Sequence, residues 1–288
     1  PRNIVVDAFN SFSDWITSLV FYSVTIGDVS IPLIVAWLVV AGFFFTVYLG
    51  FMQVRGPKIS LDLIKGKYTR AEDAGEVTHF QALATALSGT VGLGNIAGVA
   101  IAISLGGPGA TFWMILAGLV GMATKMAECT LGVKYRVTRE DGSVSGGPMY
   151  YLRDGLKERG MAGLGKFLAA FFAICMIGGS VGGGNMFQSN QATAQIVDVT
   201  GGESSFFAGR EWIVGLIFAI LVGLVIIGGI KSIARVTSRI VPLMAIIYVT
   251  ACIIVILANL GSVPSAFGDI VSGAFSPEGV VGGAVGAL

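Results

Sequence analysis

The chain is 288 residues long, with 54% hydrophobic residues, 12% charged ones and a mean hydropathy of +0.82. That balance excludes an ordinary soluble domain and describes an integral membrane protein with lipid around it. A net charge of +1 excludes a bulk electrostatic attraction to nucleic acid, so the placement of the charges matters more than their sum.

The chain opens on Pro1 in place of Met, so a trimmed N-terminus is expected. Residues 15–26, WITSLVFYSVTI, resemble the apolar core of a secretory signal, but Asp7 and Asp14 flank them with Arg2 as the one basic residue, which is the wrong flank. Phe9, Phe12, Ile16, Leu19 and Val20 fall near helical spacing beside Asn10, Ser13 and Asp14. The expectation for residues 1–30 is a helix lying in the membrane interface.

Six segments then approach the roughly 20 apolar residues needed to cross about 30 Å of hydrocarbon. They are 31–53, 79–104, 110–133, 167–190, 212–230 and 240–260, and they predict an all-α architecture. The first is expected to stop at Arg55-Gly56-Pro57, and the last to open with Pro242 in its first turn. Loop 54–78 carries five basic residues, loop 134–166 seven and loop 231–239 three, whereas 105–109 and the tail after 260 carry none and 191–211 has only Arg210. Fifteen of the eighteen basic residues thus lie on alternate loops. Because short cytoplasmic loops are enriched in Lys and Arg, the N-terminus is expected outside. Cys129, Cys175 and Cys252 sit in separate apolar runs and are expected to pack as small hydrophobes.

The second span, HFQALATALSGTVGLGNIAGVAIAIS, is interrupted at its centre by Ser88-Gly89-Thr90-Val91-Gly92-Leu93-Gly94-Asn95. Lipid cannot satisfy loose backbone N–H and C=O groups, so an unwound segment persists only where protein, water or a ligand takes those hydrogen bonds. The half-helix that begins near Asn95 offers free N–H groups and a positive dipole end, which suit a carboxylate. The half-helix that ends near Ser88 offers carbonyls, which suit Na⁺. One break can bind a zwitterionic amino acid and a cation without a charged side chain, and no Asp, Glu, Lys or Arg occurs between Glu76 and Lys125. The fourth span ends in a second polar cluster, Gly182-Gly183-Gly184-Asn185-Met186-Phe187-Gln188-Ser189-Asn190. There, helix–helix hydrogen bonding and the lining of a substrate pocket are both open readings for Asn185 and Gln188.

Other motifs carry less. Gly92-Leu93-Gly94-Asn95-Ile96-Ala97 matches a dinucleotide pattern formally, but no strand precedes it and the next acidic residue is Glu128. Gly229-Ile230-Lys231-Ser232 is not a phosphate loop, since Ile230 separates Gly from Lys. The four-residue spacing of Gly94 with Gly98, Gly178 with Gly182 and Gly179 with Gly183 predicts close helix packing. Lys125 and Glu128 share a helix face at i, i+3 and can form an ion pair or a relay. His79 is the only histidine, and no H-E-x-x-H, G-x-S-x-G or paired intramembrane carboxylates occur, so an enzyme is not expected.

The stretches GEVTHFQALATALSGTVGLGNIAGVA (75–100), GGPGATFWMILAGLVGMATKMAECTLGVKYR (106–136), GSVSGGPMYYL (142–152), GGGNMFQSNQ (182–191) and GGIKSIARVTSRIVPLMAIIYV (228–249) together resemble the alanine or glycine:cation symporter family. Val91-Gly92-Leu93-Gly94-Asn95 is also similar to the unwound first helix of the neurotransmitter:sodium symporters. The resemblance implies sodium-coupled uptake of alanine or glycine across the plasma membrane, on the broken-helix, inverted-repeat fold of LeuT-type transporters. It implies Na⁺ as coupling ion and no other cofactor. Carried over by position, Ser88 and Val91 would bind sodium through their carbonyls, and Asn95 would steady the break or bind a cation. Thr90, Gly92, Leu93 and Gly94 would offer backbone groups to the substrate, with Asn185 and Gln188 added from the fourth span. Leu93 stands where the family more often has Thr, and Gly183 where it has a larger apolar residue. The implied organisation is an interfacial helix (1–30), an extra helix (31–53), one five-helix repeat (79–260) and the start of a connection (261–288) to a second repeat that this chain lacks. Two alternatives stay open, a LeuT-type carrier for another solute and a half that works only with a partner chain.

Overall fold

The computed structural model describes residues 4–26, 29–70 and 75–286, so Pro1, Arg2 and Leu288 lie outside the described residues. In chain order the elements are α1 (Ile4–Val20), β1 (Ser23–Ile26), β2 (Val29–Pro32), α2 (Leu33–Tyr48), α3 (Met52–Arg55), α4 (Pro57–Ile64), α5 (His79–Thr90) and α6 (Val99–Gly106). They continue with α7 (Gly109–Lys134), β3 (Val137–Thr138), β4 (Val144–Ser145), α8 (Pro148–Glu158), α9 (Ala162–Gly179), α10 (Phe187–Val199), α11 (Glu211–Ile226), α12 (Gly229–Ala258), α13 (Val263–Gly273) and α14 (Pro277–Gly286). Two wide π-helical turns, Gly94–Gly98 and Ser180–Met186, adjoin α6 and join α9 to α10.

All six predicted spans are helical. Three continuous helices, of 26, 38 and 30 residues, are long and apolar enough to cross a membrane, and α5 with Gly94–Gly106 makes a fourth across a bent break. The remaining two, α2 and α11, are shorter apolar helices of 16 residues each. The protein is inside out relative to a soluble one. Its buried apolar residues are small, such as Ala102, Ala110 and Ala234, while Trp37, Trp212 and Ile227 are mostly exposed. Water would penalise that surface at roughly 25 cal/mol per Å², whereas hydrocarbon does not.

Several boundaries differ from expectation. The helix within 31–53 ends at Tyr48 and not at the Arg55-Gly56-Pro57 stop, because Gly50 (φ +66°) and Phe51 (φ +57°) turn the chain into the left-handed region. Pro57 begins α4 instead. Pro242 lies inside α12, which starts at Gly229. Residues 231–239 are therefore helical and not a loop, and Lys231, Arg235 and Arg239 form an i, i+4, i+8 stripe. The fourth span runs from Ala162 to Val199, longer than 167–190, because a wide turn absorbs the glycine run without ending the helix. The N-terminal helix stops at Val20, and a hairpin pairing Ser23 with Pro32 and Ile26 with Val29 follows.

The chain divides into two compact units. The first comprises residues 1–57, 94–127 and 253–288. Within it Gly42 meets the Val120 side chain, Gly106 meets the backbone of Gly282, and the Trp113 indole N–H donates to the Ala274 carbonyl. Gln53 on α3 donates to Thr46 Oγ1 at 2.7 Å and to the Leu119 carbonyl at 3.0 Å.

The second unit comprises residues 58–93 and 128–252. Here α8 packs against α9 so closely that Gly165 faces the Leu152 and Arg153 carbonyls, and Tyr135 donates to Glu158 at 2.7 Å. Asp141 closes the β3–β4 turn by accepting from both the hydroxyl and the N–H of Ser143. The hydroxyl bond first, then the N–H, holds its carboxyl below the usual range.

Two expectations about packing fail. A Cβ added at the glycines at 94, 98, 178, 179, 182 and 183 would meet nothing within 4 Å among the described residues, since they lie in or beside the wide turns, so no close approach there requires glycine. Cys129 and Cys175 are exposed and Cys252 is intermediate, because their helix faces look outward, where a small apolar side chain is compatible with lipid.

Candidate functional site

The second unit contains most of the predicted site. Thr78 starts α5 with a capping box, its hydroxyl accepting from the Gln81 N–H at 3.2 Å while the Gln81 side chain accepts from the Thr78 N–H at 3.0 Å. Just before it, Glu76 accepts from the Val144 N–H of β4 at 2.9 Å, which ties the start of α5 to the hairpin. Neither contact was anticipated as part of the site, although the T-x-x-Q spacing of Thr78 and Gln81 is legible in the sequence.

Along α5 the hydroxyls bond back to the helix. Thr85 donates to the Gln81 carbonyl at 2.8 Å, Ser88 to Thr85 at 2.7 Å and Thr90 to Ala86 at 2.8 Å. Thr85 also lies 3.1 Å from the Thr237 hydroxyl of α12, a cross-helix bond that no local motif announces. Such bonds let polar side chains sit on a membrane helix without loose donors.

The helix ends at the expected place. The Val91 N–H closes the last turn on the Leu87 carbonyl at 2.7 Å, and Val91 itself is extended, with φ −90° and ψ 106°. From Val91 onward the backbone leaves the helical ladder, and the Leu93 N–H points to a side chain. Gln188, from the first turn of α10, accepts from it through Oε1 at 3.3 Å. Gly92 makes this possible, because a Cβ there would stand 3.3 Å from Gln188 Nε2.

The two polar clusters read from the sequence therefore meet, through Gln188. Asn185 lies three residues before Gln188. It lines a cavity of about 580 Å³ between α10 and α11, with Ser189, Asn190, Thr193 and Glu211. Gly94 and Asn95 belong to the first unit, where they form the exposed start of the wide turn before α6.

The site's charge comes from dipoles. An amide oxygen on a free backbone N–H is the neutral counterpart of a carboxylate oxygen in the same place, so the Leu93 N–H is an anion-competent donor. At the end of α5 the last carbonyls have no helical partner ahead of them, which makes that side attractive to a cation. Among the described residues no group of three or more His, Cys, Asp and Glu side chains is placed to hold a metal ion.

The sequence profile of the sodium:alanine symporter family matches residues 15–288. The chain is 42% identical over 255 residues to a sodium/alanine symporter, AgcS, of Methanococcus maripaludis, covering 88% of this chain and 54% of that protein. It is 34% identical to a probable sodium/glutamine symporter, GlnT, of Bacillus subtilis, over 88% of this chain and 50% of the relative. An amino-acid carrier protein of the same organism, AlsT, is also 34% identical, over 86% and 49%. The chain spans about half the length of these curated relatives. Their names are those of carriers and not of enzymes, in keeping with a multi-pass helical chain whose large apolar side chains face outward. The chain belongs to the sodium:alanine symporter family.

Proposed function

We propose that this chain forms the first half of a sodium-coupled carrier that moves alanine or glycine across the plasma membrane by alternating access around residues 88–95. The observation that carries the reading is the Leu93 N–H, released from the helix at the break and held by a neutral amide oxygen. A substrate carboxylate has the stronger claim on such a donor, since a charged acceptor makes a bond roughly twice as strong as a neutral one. Thr90, Gly92, Leu93 and Gly94 then present backbone to the amino acid, and Gln188 lies against it. The carbonyls of Ser88 and Val91, with Asn95, hold Na⁺ next to the carboxylate, so each charge offsets the other in a medium of low dielectric. Coupling follows, because neither ligand is stable there alone.

The name of AgcS supports alanine and sodium. The broken helix and the glycine-rich wide turn support a LeuT-like inverted-repeat fold in which residues 79–260 form the first repeat and 31–53 an extra helix. The basic residues of 54–78 and 134–166, with Lys231, Arg235 and Arg239 at the start of α12, support an N-terminus outside, with α1 in the interface.

The test is uptake of radiolabelled alanine by the intact protein in proteoliposomes, with and without an inward Na⁺ gradient. Gradient-driven uptake that is lost in Gly94→Leu is expected. Uptake indifferent to Na⁺ would remove the coupling, and uptake of glutamine in place of alanine or glycine would move the substrate to that named for GlnT.

A further inference from the structure

The cavity lined by Asn185, Ser189 and Thr193 shares Asn190, Thr193 and Glu211 with a second cavity of about 450 Å³, which adds Asp198 and Glu203. Both lie within the second unit, along the α10–α11 face. They join a mouth of three carboxylates to a stripe of neutral oxygens at i, i+4 and i+8, Asn185, Ser189 and Thr193. From the structure we infer that this is a vestibule that gathers small monovalent cations such as Na⁺, with the Thr193 hydroxyl as a ligand in its wall. The inference rests on the sodium coupling proposed above.

Three observations carry it. Thr193 is only 7% exposed, yet its hydroxyl makes no hydrogen bond among the described residues. Ser180 in the same span bonds back to the Met176 carbonyl, and Thr200 just beyond its end to Ile196, each at 2.7 Å. A hydroxyl on a mostly buried residue that forgoes such a bond and lines two cavities is an oxygen open to a ligand entering them.

The mouth is also short of positive charge. Between residues 191 and 211 three carboxylates face a single guanidinium, and Arg210 is engaged with Phe206, donating to its carbonyl at 3.2 Å and covering its ring at 5.0 Å. Among the described residues Asp198 and Glu203 make no ion pair. Asp198 sits in the last turn of α10, beside the negative end of the helix dipole, where a carboxylate is disfavoured and a nearby cation relieves the cost.

The ion class follows from spacing. No three of these acids are grouped to cage a metal ion, so a divalent cation, which needs several carboxylate oxygens at once, has no seat. A dispersed field with neutral oxygens below it raises the local concentration of a mobile monovalent ion without trapping it.

The test is radiolabelled Na⁺ binding to the purified intact protein, with Na⁺-dependent alanine uptake measured in parallel. In the triple variant Asp198→Asn, Glu203→Gln, Glu211→Gln the Na⁺ concentration for half-saturation is expected to rise about threefold or more at low ionic strength and to converge on wild type at high ionic strength, since the field is screened. The half-saturation for alanine at saturating Na⁺ stays unchanged. Thr193→Val is expected to weaken Na⁺ binding at both ionic strengths, because a lost ligand is not screened. Na⁺ binding unchanged in both variants overturns the vestibule while the carrier reading stands, and so does a shift independent of salt in the triple variant. Wild-type uptake indifferent to Na⁺, with Na⁺ binding still sensitive to the variants, overturns the coupling and leaves the vestibule. A wild type that binds no Na⁺ overturns both.

Discussion

Gly92→Ala probes the contact that joins the two halves of the site. The Gln188 Oε1 to Leu93 N–H distance of 3.3 Å already lies beyond the usual N–H···O range of about 2.7–3.2 Å. A Cβ on residue 92 would stand 3.3 Å from Gln188 Nε2, 3.5 Å from Oε1 and 3.6 Å from Cδ. The amide must retreat by a few tenths of an ångström, which it can do cheaply as the end of a flexible side chain, and the bond to Leu93 breaks. The backbone itself tolerates alanine, since Gly92 does not have a positive φ. A net hydrogen bond is worth about 1 kcal/mol, so the alanine half-saturation for uptake by the intact protein should rise about fivefold as the break loses its preorganisation. The decisive measurement is the double-mutant cycle with Gln188→Ala. In that background the three atoms nearest the added methyl are gone, and Gly92→Ala should have no further effect on half-saturation. Equal effects in both backgrounds would refute the account, because they would place the cost in the backbone and not in the amide.

Gly165→Ala should lower the thermal stability of the detergent-solubilised protein by roughly 1–3 kcal/mol, because the new Cβ would lie 2.8 Å from the Leu152 carbonyl and 3.0 Å from that of Arg153, and helix backbone cannot step aside. Gly163→Ala, with nothing within 4 Å, is the control and should be close to neutral. Thr78→Ala removes one arm of the capping box and should cost about 1 kcal/mol, visible as faster amide exchange in the first turn of α5. Asp141 is stabilised in its charged form by Ser143, so the order it lends the β3–β4 turn is present above the ordinary carboxylate pKa and is lost as pH falls through the lowered one. Ser143→Ala should raise the Asp141 pKa toward its ordinary value in a carboxyl NMR titration, and an unchanged titration would show that the hydroxyl is not the cause.

The sequence by itself determined the features that depend on composition and local chemistry. Long apolar runs fold as helices, so six apolar helical segments were legible, and a glycine-rich polar interruption cannot continue the ladder, so the end of α5 beside Val91 was legible too. Helix limits set by single backbone conformations were not. The left-handed Phe51 ends α2 early, and the wide turn at Ser180–Met186 keeps the fourth span continuous through its glycines. Both depend on φ and ψ, which the residue types permit but do not dictate. Only the tertiary structure decided that Gln188 reaches the break. It also decided that Thr85 meets Thr237 and Glu76 meets Val144. These partners are 95, 152 and 68 residues apart, so no periodicity within one helix encodes them. They are set by which faces of separate helices come together, and that is fixed by packing around small residues such as Gly155 against Tyr135 and Gly165 against α8.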